Sequence, residues 1–86
     1  MKNKTELEKL GKNLKEAREN AGFTQKALAE IIGISSAVLS KYENGELSPD
    51  KDVLIRISEV LGVSINMITM KFEDSMYQEN SPLVKD

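Results

Sequence analysis

Residues 23–45 read FTQKALAEIIGISSAVLSKYENG, two short mixed segments hinged at Gly33. Thr24 and Ser35 are each the kind of residue that caps a helix start. The spacing predicts one helix over 24–32, with Ala27, Leu28, Ile31 and Ile32 inward, and a second over about 35–44, with Val38, Leu39 and Tyr42 inward. Only Gly33, Ile34 and Ser35 separate them, and so short a link forces the helices to cross steeply and pack directly. A close crossing needs a small residue on the earlier helix, which Ala29 supplies. The turn needs a residue tolerant of positive φ, which Gly33 supplies. Leu28, Ile32, Ile34, Leu39 and Tyr42 are then placed to anchor the pair in a larger core.

The punctuation repeats outside this stretch. Gly22, Gly45 and Gly62 also follow amphipathic runs, and Asp50 behind Pro49 and Ser64 are further helix starts. Four stop/start pairs imply five helices and leave no room for a sheet. The fold class expected is all-α, one compact five-helix domain. The first helix, about 5–21, carries Leu7, Leu10, Leu14, Ala17 and Ala21 as one apolar stripe. The fourth, about 50–61, carries Val53, Leu54, Ile57, Val60 and Leu61. The fifth, near 64–70, carries Ile65 and Ile68. Residues 1–8 read as a lead-in, 9–70 as the domain, and 71–86 as an acidic tail without helical period.

Bulk properties narrow the function. Eighty-six residues make one small domain, with 40% hydrophobic and 30% charged residues as in ordinary globular chains. No apolar run is long enough to span a bilayer. The opening MKNKTELEKL has no apolar signal core, so a cytoplasmic location is expected. With no cysteine and no histidine, thiol nucleophiles, imidazole acid–base chemistry and the usual zinc ligands are excluded. Glu43, Glu46, Asp50 and Asp52 read as solvated acids around a capped helix start. No nucleophile–base pair or phosphate-cradling glycine loop appears, so no enzyme, cofactor or metal site is expected. Net charge is −2 overall, but +2 over 1–45 and −4 over 46–86. That split fits either two solvated faces or an approach to a polyanion by the first half.

The residues from Phe23 to Ser64 resemble the Cro/lambda-repressor-like family of helix-turn-helix transcriptional regulators. The matching features are Thr-Gln at the start of the second helix, Leu-Ala-Glu within it and the Gly-Ile-Ser turn. Ser-Lys-Tyr-Glu-Asn-Gly, the proline before the fourth helix and Leu-Gly-Val-Ser after it complete the match, which covers about residues 9–70. The resemblance implies a third helix that enters the DNA major groove. It also implies that Gln25 binds a backbone phosphate, with Thr24 beside it, and that Arg18 pairs with Glu43 and reaches a phosphate. Asn44 and Lys51 are weaker phosphate candidates, and the position of Lys51 is often apolar in the family.

The outward residues of the third helix, Ser35, Ser36, Ala37, Ser40 and Lys41, are the candidates for base edges. Lys41 can donate to guanine O6 or N7, the serines can donate or accept, and Ala37 can offer a methyl to thymine. Relatives often carry longer polar side chains at Ser36 and Ala37, which shifts the expectation toward reading of DNA shape.

One such domain reads few base pairs, so a homodimer on a palindromic operator is expected. Ile65, Met67, Ile68, Met70 and Phe72 exceed what a short helix buries alone, and are the candidate dimer interface. The main reading is a sequence-specific DNA-binding regulator, a repressor in sign. The alternative is an antitoxin-like or antirepressor-like module on the same fold, with the acidic tail engaging a protein partner.

Overall fold

The computed structural model describes residues 4–69, and the candidates Met70 and Phe72 and the tail at 71–86 lie outside them. Five helices follow one another: α1 (Lys4–Asn20), α2 (Gln25–Ile32), α3 (Ser36–Glu43), α4 (Lys51–Leu61) and α5 (Ile65–Thr69), and the described residues contain no strand. Helix starts are fixed by side chains. Thr24 Oγ1, Ser35 Oγ and Asp50 Oδ1 accept from the backbone N–H groups of Ala27, Val38 and Val53 at 3.0–3.1 Å. Ser64 Oγ does the same for Met67 at 3.2 Å. Each satisfies one of the donors that a first helical turn leaves without an intrahelical partner. Replacing Asp50 by alanine is therefore expected to cost about 1 kcal/mol, read as a lower urea midpoint with an unchanged m-value.

The α2–α3 turn closes on a left-handed residue. Gly33 has φ 83°, and its N–H and that of Ile34 both donate to the carbonyl of Ala29, at 2.9 and 3.0 Å. Any side chain at Gly33 would strain that backbone, although no neighbouring atom crowds it. Residues 33–35 alone separate α2 from α3, and the two helices pack on one another.

α1 packs against α3 and α5, α2 against α3 and α4, and α4 against α5. The core where they meet is built around Leu14, Leu28, Leu39, Ile57 and Ile68, with Leu10, Ile32, Tyr42, Leu54 and Leu61 around them. Two of the apolar residues expected inward are not there. Ile31 is 56% exposed, because α2 turns Leu28, Ala29 and Ile32 to the core and leaves Ile31 one step round the helix. Ala21 is exposed beyond the end of α1.

Two side-chain bonds link neighbouring helices. Arg56 Nη1 donates to the Ile32 carbonyl at 2.8 Å, supplying a partner at the end of α2. Asn13 Nδ2 donates to the Ile68 carbonyl at 3.0 Å, joining α1 to α5.

The contact that sets α3 against α1 runs through backbone. A Cβ built on Gly11, within α1, would lie 2.5 Å from the carbonyl oxygens of both Tyr42 and Glu43. The end of α3 therefore sits on the bare backbone of α1. Just beyond it, Gly45 has φ 77°, and a Cβ there would come within 2.9 Å of the Glu8 Cα. Two glycines on opposite partners allow one close approach.

Candidate nucleic-acid interface

Helix α3 divides by face. Leu39, Tyr42 and Glu43 are buried, while Ser36, Ala37 and Lys41 are exposed and Ser40 is half-buried. Positions 36, 37, 40 and 41 follow the i, i+4 rule, so they form one continuous outward face. Ser35 is exposed as the N-cap, its oxygen already accepting from Val38. Its O–H is left to donate elsewhere. Lys41 is the face's one cation.

The start of α2 sits beside the far end of α3. Thr24 is exposed and Gln25 half-buried. Asn44 follows α3 and is exposed, its backbone N–H donating to the Ser40 carbonyl at 2.9 Å. Lys51 is exposed on the first turn of α4.

The structure brings Arg18, Gln25 and Glu43 into one cluster. Arg18 Nε donates to Glu43 Oε2 at 2.7 Å and Nη2 to Oε1 at 3.0 Å, a two-pronged pair. The fork of a guanidinium matches the two oxygens of a carboxylate, which makes this the strong form of such a bond. Arg18 Nη1 donates to the Phe23 carbonyl at 2.7 Å, and Gln25 Nε2 donates to Glu43 Oε1 at 2.9 Å. Hydrogen bonding to Glu43 raises the Arg18 pKa above its ordinary value, outweighing the lowering by burial. The cluster joins α1, the head of α2 and the tail of α3.

Three sequence-based assignments change with this geometry. Arg18 is only 7% exposed and its three nitrogens are engaged within the protein, so it does not stand among the surface groups that a phosphate can reach. Glu43 is not a solvated acid but a buried one. Ile68 is fully buried in the domain's own core and offers no surface to a second copy, whereas Ile65 is half-buried and Met67 is 61% exposed. Met67 lines a groove of about 600 Å³ with Ala17, Ala21, Leu61 and Val63.

Sequence reasoning missed the bonds of Gln25 and Arg56. Neither had a signal, since the partners lie 18 and 24 residues away. Among the described residues no group of acidic side chains is arranged to hold a metal ion, and no helix is long and apolar enough to cross a membrane.

Two short helices packed on one another across a three-residue turn, with an outward polar face on the second, define a helix-turn-helix domain. The chain belongs to the Cro/lambda-repressor-like helix-turn-helix family, whose sequence profile, described as "Helix-turn-helix", matches residues 14–68. Among its relatives is the HTH-type transcriptional regulator ImmR of Bacillus subtilis (strain 168), 43% identical over 76 residues. That match takes in 88% of this chain but 60% of ImmR, so the chain spans well under the full length of that relative.

Among solved structures, the clp gene regulator ClgR of Corynebacterium glutamicum superposes with a TM-score of 0.73 at 30% identity, over 83% of this chain and 76% of that one. Hydroxypropylphosphonic acid epoxidase from S. wedmorenis superposes with a TM-score of 0.70 at 33% identity, over 77% of this chain and 35% of the enzyme. The same fold thus occurs within an enzyme, and what a given copy does has to be argued from its surface.

Proposed function

We propose that this protein is a sequence-specific double-stranded DNA-binding regulator that reads the major groove with α3. The observation that carries the reading is the uninterrupted outward face of Ser36, Ala37, Ser40 and Lys41 on the second helix of a helix-turn-helix pair. The face is small and weakly charged, so it fits into a groove without a large electrostatic pull. Positioning then falls to phosphate contacts from Thr24, Gln25, Asn44 and Lys51 at the rim. The head of α2 adds backbone N–H donors and the positive end of a helix dipole.

Half-sites read this way are short, and specificity is reached by a homodimer on a palindrome with half-sites about 34–36 Å apart. Exposed Met67, half-buried Ile65 and the groove beside Met67 supply an apolar surface for self-association. As the sign we propose repression, exerted where the operator overlaps the site that the transcription machinery must occupy. The names of the relatives, transcriptional regulator and gene regulator, support the reading as a regulator.

Selection from a random duplex library tests it. The expected result is an enriched palindrome, bound with an affinity that falls as salt rises. Gln25→Ala should weaken binding about tenfold across all sequences. Lys41→Ala should also relax the preference for one base pair, by about 1–3 kcal/mol of discrimination. No enriched duplex, with tight capture of one protein partner instead, would favour an antitoxin-like interaction module on the same fold.

A further inference from the structure

We infer that Glu43 is a positioning residue for DNA binding, holding the Gln25 amide ready for a backbone phosphate. The inference rests on the DNA-binding reading above and adds a residue that does not itself touch DNA. Glu43 Oε1 accepts from two donors at once, Arg18 Nη2 at 3.0 Å and Gln25 Nε2 at 2.9 Å. A carboxylate paired with a guanidinium only accepts hydrogen bonds, so it selects the nitrogen end of the Gln25 amide and fixes which way the amide faces. That nitrogen carries two N–H groups. One is spent on Glu43, and the second is left for a ligand at the start of α2.

The environment supports the division of labour. Glu43 is 6% exposed, out of reach of DNA, while Gln25 is half-buried at the surface. Glutamine has among the largest rotamer entropies to lose when it is immobilised. Holding it before DNA arrives removes that loss from the binding step. Arg18 in turn neutralises the carboxylate, so the pin does not set an uncompensated negative charge beside the approaching phosphate.

Glu43→Gln separates these roles. A carboxamide has one oxygen where the carboxylate has two, and the Arg18 guanidinium competes for it with Gln25. The test uses the selected duplex with single phosphates replaced, one at a time, by neutral methylphosphonates. In the wild type, one replacement should weaken binding about tenfold through the loss of the Gln25 bond, and Gln25→Ala should abolish the effect of that one replacement. Glu43→Gln is expected to abolish it too, leaving interference at the other phosphates intact. Full interference retained at that phosphate, or an equal loss at every phosphate, would overturn the assignment.

If the wild type selects no duplex, the DNA-binding reading falls and this inference with it, before any variant is made. If Glu43→Gln does not fold, the side-chain amide of Gln25 in the free wild type decides. Slow exchange of one of its two protons, seen by NMR, supports the pin, and fast exchange of both overturns it.

Discussion

Gly11→Ala is expected to destabilise the domain by about 3 kcal/mol, although the change adds a single methyl group to a helix. In isolation alanine should help, since glycine within a helix costs roughly 0.5–1 kcal/mol relative to alanine. Here the added carbon would lie 2.5 Å from two backbone carbonyl oxygens of α3. Neither can turn aside as the end of a long side chain could, because both are backbone atoms at the end of α3. Relief requires α3 to lift from α1, which opens the core around Leu10, Leu14 and Leu39. A domain of this size has a total stability of only about 5 kcal/mol. Thermal melts followed by circular dichroism should fall by on the order of 10–20 °C. Lys12→Ala, one residue along on the exposed face, should change stability by no more than about 0.5 kcal/mol. If Gly11→Ala melted with the wild type, α1 and α3 would not be in backbone contact in solution.

Gly11 also marks where the sequence stops being legible. Thr24, Ser35 and Asp50 announce helix starts through bonds to residues three positions on, and the sequence alone locates them. Gly33 is equally local, since its role is a turn between two recognisable runs. A glycine inside α1 carries no such signal, because what excludes a Cβ is a pair of carbonyls more than thirty residues later. Separation in sequence also hides the Gln25–Glu43 bond, 18 residues apart. The Arg18–Glu43 pair is legible through the family resemblance, but not that it occupies the guanidinium on three nitrogens and takes it out of reach of a phosphate. Ile31 fails for another reason. In a helix of eight residues the period alone does not say which edge of the apolar stripe falls outside.

The division between legible and hidden follows the physics of each part. The outward face of α3 needs only exposure and chemical type, both readable from helical period. Its placement relative to α1 and α2 depends on one close backbone contact and one buried ion pair, which are tertiary. Of these, the ion pair is readable through the family resemblance, while the Gly11 contact and the Gln25 bond are not.

Arg18→Met should be the most damaging change at the buried cluster, costing about 3–5 kcal/mol. The loss would not come from charge attraction alone. Glu43 would be left in the core with Gln25 as its remaining side-chain donor, and an uncompensated buried carboxylate is far costlier than an absent one. Adding Glu43→Leu to Arg18→Met should therefore restore at least half of the lost stability, since replacing a whole buried pair by apolar residues is often close to neutral. Gln25→Ala should cost only about 0.5–1.5 kcal/mol, because Arg18 still holds the carboxylate. Urea unfolding of the wild type, the single variants and the double variant measures all of these on one scale. A double variant as unstable as the sum of its parts would mean that Arg18 and Glu43 act independently. The three helix ends meeting there would then be held by their apolar contacts alone.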